Sequence, residues 1–129
     1  VVIECDTDNC ERTDTHQSLG ASVSGASDVD ADGFSDLLIG VPNYKTSHKQ
    51  AGTVALFFGS SVTDGGVFGL SDADAVFHGQ GTNHYAGSAV VGMGDIDGDS
   101  WEDFAVGERG DGTVVSNGGL VHILLSPGS

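Results

Sequence analysis

What this chain lacks narrows its role first. Only 4 of its 129 residues are Lys or Arg. Nucleic-acid binding depends on Lys and Arg set against phosphates, so that role is argued against. Attachment to an anionic membrane surface is argued against on the same ground. No stretch is long and apolar enough for a membrane-spanning helix. No window keeps a 3.6-residue apolar period, so helix should be minimal. There is no P-loop, no dinucleotide fingerprint and no Gly-x-Ser-x-Gly elbow, which leaves no catalytic signature. His16, His48, His78, His84 and His122 are scattered, with no metal-pair or nucleophile–base spacing. His122 alternates with Val121 and Ile123, which predicts that it points away from the core.

Cysteine is nearly absent too. Cys5 and Cys10 enclose the polar loop Asp-Thr-Asp-Asn. This spacing permits a disulfide, which would suit an oxidising compartment. The alternatives are two free thiols or a metal contact, and the calcium-type motifs below favour the disulfide. The chain does not start with Met and shows no signal peptide, which reads as a processed form or a piece of a longer protein.

Acid and glycine are abundant: 19 Asp and Glu, 21 Gly and a net charge of −15. Bare acidity often means disorder. Here 38% of residues are hydrophobic and fall in short β-type runs, so one folded domain is expected. The acid is patterned. Asp28-Val-Asp30-Ala-Asp32-Gly33-Phe34-Ser-Asp36 is followed by Asp95-Ile-Asp97-Gly98-Asp99-Ser100-Trp101-Glu-Asp103. Carboxylates at positions 1, 3, 5 and 9 of a short loop form an oxygen cage suited to Ca²⁺. Like charges so close would fray without a cation, so folding and metal binding should be coupled.

The two motifs begin 67 residues apart, and the same offset matches far more of the chain. Gly20 falls on Gly87, Val23 on Val90, Gly25 on Gly92, Phe34 on Trp101, Ile39 on Val106, Gly40 on Gly107, Gly52 on Gly119 and Val54 on Val121. Such periodicity marks a repeat architecture. Expected strands are Ala21–Gly25, Leu37–Gly40, Thr53–Phe58 and Ala75–His78, then Ser88–Val91, Phe104–Gly107 and Leu120–Leu125. Phe57, Phe58, Trp101 and Phe104 read as core or inter-sheet packing rather than a ligand shelf. An EF-hand is ruled out because position 12 of the loop is Ile39 or Val106, inside an apolar strand, where a bidentate Glu is required.

The chain resembles two FG-GAP repeats, the blades of the integrin α-subunit β-propeller and of many bacterial surface proteins. The resemblance rests on Leu19-Gly20 and Ala86-Gly87, on Gly40-Val41-Pro42 and Gly107-Glu108-Arg109, and on the two aspartate loops; it covers residues 19 to 125. It implies an all-β chain of two tandem four-stranded antiparallel blades. The expected divisions are an N-terminal strand and cysteine loop at 1–18, a first repeat at 19–84 and an incomplete second repeat at 85–129. It also implies two Ca²⁺ sites. The first would use the side chains of Asp28, Asp30, Asp32 and Asp36 with the Phe34 carbonyl. The second would use Asp95, Asp97, Asp99 and Asp103 with the Trp101 carbonyl. Ser100 stands where the family usually has Gly, at a position suited to a backbone that Gly adopts most easily.

Counting strands leaves the second blade one short and Val1–Glu4 without a partner in its own repeat. The expectation is that Val1–Glu4 completes that blade, in its own chain or on a neighbouring copy by strand addition. Arg109-Gly110-Asp111 spells an adhesion tripeptide, and chance in a Gly- and Asp-rich chain accounts for it. The function expected is a non-enzymatic, extracellular or cell-surface, calcium-bound structural or interaction module. Its partners would be further copies, further blades, or a protein or glycan ligand. The alternatives are a fragment of an adhesive propeller head and an accessory domain of an extracellular hydrolase or lyase.

Overall fold

In a computed structural model, residues 1–6, 18–110 and 118–126 are described. Among them the fold is all-β, with nine strands, two short 3₁₀ turns (Gly59–Val62 and Leu70–Asp72) and no α-helix. The strands are β1 (Val2–Glu4), β2 (Ser22–Gly25), β3 (Leu37–Val41), β4 (Thr53–Phe57), β5 (Val67–Gly69), β6 (Ala75–His78), β7 (Ala86–Gly94), β8 (Asp103–Glu108) and β9 (Leu120–Leu124). They form one antiparallel sheet in the order β2-β3-β4-β6 and a second in the order β7-β8-β9. These are the two expected blades, the second with three strands.

The backbone carries the repeat as clearly as the side chains do. Left-handed residues recur at the same offset: Ser18 and Tyr85, Gly20 and Gly87, Ser27 and Gly94, Ala31 and Gly98, Gly33 and Ser100, Gly52 and Gly119. β4 and β9 also start and end at matching positions. The strand pattern follows composition. Buried β3 and β4 read Leu-Leu-Ile-Gly-Val and Thr-Val-Ala-Leu-Phe, apolar but for Thr53 because both faces are covered.

One core cluster lies between the sheets. Leu38, Val54 and Leu56 of the first meet Ala86 and Val106 of the second, flanked by Phe58, Phe77, Val90, Phe104 and Leu124. Each large side chain buried this way stabilises the fold by about 1.5–3 kcal/mol. The other cluster covers the opposite face of the first sheet, where Ile39, Val41, Ala55, Phe57 and Leu70 meet Ile3 and Phe68. Of the aromatic residues expected to pack, Phe57, Phe58 and Phe104 do so, while Trp101 stands in its loop outside both clusters.

The N-terminal strand differs from expectation. Within the chain it does not complete the second blade. β1 pairs in parallel with β5, Ile3 opposite Phe68, in a separate two-stranded sheet. The physical reason is that Ile3 and Phe68 together cap the second core cluster, which would otherwise face water. Asp6 fastens the end of this segment by accepting from Ser71 N, 3.0 Å away. β5 has no counterpart among the expected strands, because three residues, two of them apolar, are too short to show a period.

The two sheets approach closely where β7 lies against β2 and β3. A side chain on Gly40 would place its first carbon 2.1 Å from the Gly87 carbonyl oxygen, and one on Gly92 would lie 2.4 Å from that of Gly25. Neither oxygen can retreat without moving backbone. Gly40→Ala is therefore expected to destabilise the chain by about 1–3 kcal/mol, the usual cost of overpacking, read as a lower midpoint in urea unfolding.

Candidate metal centres

Each acidic loop joins the first and second strands of its sheet, between β2 and β3 or between β7 and β8. In each, the first three aspartates converge. Asp28, Asp30 and Asp32 each place a carboxylate oxygen within 4.8 Å of the others, and so do Asp95, Asp97 and Asp99.

Backbone N–H groups aim these side chains. Asp28 accepts from Asp32 N (2.9 Å) and Gly33 N (2.9 Å), and Asp32 accepts from Phe34 N (2.8 Å). The second loop repeats the pattern: Asp95 accepts from Asp99 N (3.1 Å) and Ser100 N (2.7 Å), and Asp99 from Trp101 N (2.8 Å). Asp and Asn hold turns in this way by bonding backbone a few residues on.

The fourth aspartate is placed differently. Asp36 and Asp103 belong to neither cluster and are buried, Asp103 completely. Asp36 accepts from Val29 N (2.6 Å) and from Gly59 N (2.8 Å), just past β4. Asp103 accepts from Ile96 N (2.9 Å) and from Ser126 N (2.9 Å), just past β9. Each oxygen keeps a second lone pair, so these bonds leave room for coordination.

Charge is uneven within the cages. Desolvation, then the like charges of Asp32, Asp36 and Asp28, push the Asp30 carboxyl above its ordinary range. Desolvation, then Asp99 and Asp103, do the same to Asp97. Asp32 is held low by a hydrogen bond from Ser60, then by Phe34 N–H, and Asp95 chiefly by Ser100 N–H. The middle carboxylate of each cage thus lacks a positive partner. Three hard oxygens with unrelieved negative charge fit a Ca²⁺ ion, which takes 6–8 oxygen ligands.

Both loops carry a non-glycine residue in left-handed backbone. Gly33 has φ +92° where Ser100 has +75°, and Gly98 has +83° where Ala31 has +59°. The expectation that Ser100 occupies a glycine-like conformation is met, and Ala31 is its reciprocal in the first loop.

The remaining candidates fall as follows. Cys10 and Asp111 lie outside the described residues. Cys5 is not a free thiol. Arg109 lies over the Tyr85 ring, 4.7 Å from its centre. His122 corrects the expectation from alternation. It turns inward, its ring 5.0 Å from Phe77 and its Nε2 3.3 Å from Glu108 Oε1. The cause is that β9 shows its apolar side, Val121 and Ile123, to solvent. His84 Nδ1 lies 2.9 Å from the other oxygen of buried Glu108. This cluster escaped the sequence reading because its members sit on three separate segments. Its one signal is that Glu108 and His122 fall on buried Val41 and Ala55 one repeat earlier.

Residues 19–57 match the FG-GAP repeat family. A stretch of 91 residues, 67% of this chain, is 34% identical to Integrin alpha-PS2 of Drosophila melanogaster. The chain spans only 6% of the length of that relative.

Asp103→Asn should lower unfolding stability by about 1.5–3 kcal/mol even in EDTA, because it replaces a charged acceptor of two backbone donors. Asp97→Asn should leave stability in EDTA unchanged or higher, since it removes crowded charge; urea titrations of both variants check the contrast. Ser100→Gly should raise stability by about 0.5–1 kcal/mol, relief of left-handed strain outweighing the added chain entropy, seen as a higher melting temperature.

Proposed function

On the premise that this chain carries an FG-GAP repeat, we propose that it is a calcium-stabilised interaction module acting outside the cell or at its surface. Asp28, Asp30 and Asp32 hold one Ca²⁺, and Asp95, Asp97 and Asp99 hold another. Asp36 and Asp103, with the Phe34 and Trp101 carbonyls, complete the ligand sets. The bound ion supplies positive charge that offsets carboxylate crowding. The chain's own residues fix the turn, point the oxygens inward and tie each loop to its sheet. No step of this role changes a substrate, so the module is not an enzyme. The blades meet further blades, further copies, or a protein or glycan ligand. A Cys5–Cys10 disulfide closes the N-terminal loop, in keeping with an oxidising compartment.

The observation that carries this reading is the recurrence of the cage. Two loops one repeat apart converge the same three carboxylates with the same backbone donors. The likeness to Integrin alpha-PS2 supports a place at the cell surface and a role in protein contacts.

Binding of a ligand only to the folded state stabilises it by roughly 2.7 kcal/mol at a hundredfold excess over the dissociation constant. Calcium should therefore raise the melting temperature by several degrees and EDTA should reverse the rise. Calorimetric titration should find two sites, falling to one in Asp30→Asn or Asp97→Asn. A melting temperature indifferent to calcium and EDTA would sink the reading.

A further inference from the structure

Three Asp-Gly steps stand among the described residues: Asp32-Gly33, Asp64-Gly65 and Asp97-Gly98. A fourth, Asp111-Gly112, lies outside them. At such a step an aspartate carboxyl can close on the chain itself, because glycine has no side chain to block the approach. The glycine nitrogen must be free to turn onto the aspartate Cγ. That freedom differs among the three.

In both cages the reacting groups are held apart. Gly33 N–H donates to Asp28 Oδ2 at 2.9 Å, and the Asp32 carboxylate accepts from Phe34 N–H at 2.8 Å. Gly98 N–H donates to Asp95 Oδ1 at 2.6 Å, and the Asp97 carboxylate accepts from Asp99 N–H at 3.1 Å. Nitrogen and carboxylate therefore each face a different partner.

Asp64-Gly65 is built otherwise. It lies inside the first repeat, between the Gly59–Val62 turn and β5, and Asp64, Gly65 and Gly66 are all exposed. Among the described residues no hydrogen bond engages the Asp64 carboxylate or the Gly65 N–H. Gly65 has φ +76° and Gly66 +111°, and no atom lies within 4 Å of where a side chain on either would begin. Exposed loop tips of small residues are where a chain is most open to chemical change.

We propose that Asp64 is a site of spontaneous backbone modification, isomerising to isoaspartate through a cyclic succinimide. Gly65 N bonds to Asp64 Cγ, and the carboxyl hydroxyl leaves with the amide proton as water. Water then adds to the α-carbonyl carbon of the ring and breaks its bond to Gly65 N. The chain now runs through Cγ, and the former α-carbonyl is a free carboxylate. One water is lost and one is regained, so mass is unchanged and neither oxidant nor cofactor is needed.

The change has a place to act. It adds one carbon to the backbone, about 1.5 Å of chain. Two residues on, the Gly66 carbonyl accepts from Val2 N–H at 2.8 Å, the bond that opens the β1–β5 pair. Isomerisation therefore loosens the cap that Ile3 and Phe68 form over the second core cluster. The cages and the core between the sheets are left as they were.

The test is to age the full chain in excess calcium for several weeks at neutral pH and body temperature. Electron-transfer fragmentation of its peptides then tells isoaspartate from aspartate at equal mass. Isoaspartate at Asp64 should exceed that at Asp32 and at Asp97 at least tenfold. The same chain held unfolded in urea should form it at comparable rates at all three, which assigns the selectivity to the fold. The aged chain should melt lower than the fresh one, while Asp64→Ser aged beside it should keep its starting melting temperature. Equal isoaspartate at the three steps of the folded chain, none at Asp64, or a preference for Asp64 that survives in urea would overturn the proposal. A melting temperature that falls as far in aged Asp64→Ser would overturn the link to the β1–β5 cap.

Discussion

The architecture turns on two buried carboxylates. Asp36 and Asp103 each join the start of an acidic loop to the backbone just past the third strand of the same sheet. A carboxylate bonded to N–H groups makes roughly twice as strong a hydrogen bond as a neutral acceptor. Buried away from water, its loss would leave backbone donors without partners. With that joint closed, the loop has little room, and its other three aspartates are forced together at the surface. The cage is thus a consequence of the anchor.

The nine-residue motif therefore contains two functions. Its last acid builds the sheet. Its first three acids gather charge that the folded chain does not neutralise by itself, most of all at Asp30 and Asp97. Ca²⁺ fits this arrangement because hard oxygen donors and net negative charge are what that ion requires. Joined through glycine contacts at Gly40 and Gly92, the two sheets then behave as one layered unit.

Much of this was legible in the sequence, for physical reasons. The fixed offset exposed both blades, and short β-branched and aromatic runs bounded by Gly, Asp, Asn and Ser located their strands to within a few residues, as at Ala75–His78 and Thr53–Phe57. Convergence of Asp28, Asp30 and Asp32 followed from side chains spaced two apart in a tight loop. Three features were hidden because they depend on long-range packing. β1 found β5 through Ile3 and Phe68, a contact with no local signature. His122 turned inward because β9 faces the first sheet with its polar-bearing side. Asp36 and Asp103 stood apart from the cages because their donors, Gly59 and Ser126, lie 23 residues further along the chain.

The central claim is that the two cages bind calcium and are ordered by it. Amide NMR of the isotopically labelled chain during calcium titration tests it most directly. The account predicts that the amides of Asp32, Gly33, Asp99 and Ser100 shift together and become protected from hydrogen exchange, saturating at two ions per chain. Unchanged shifts and exchange at those four amides under excess calcium would contradict it.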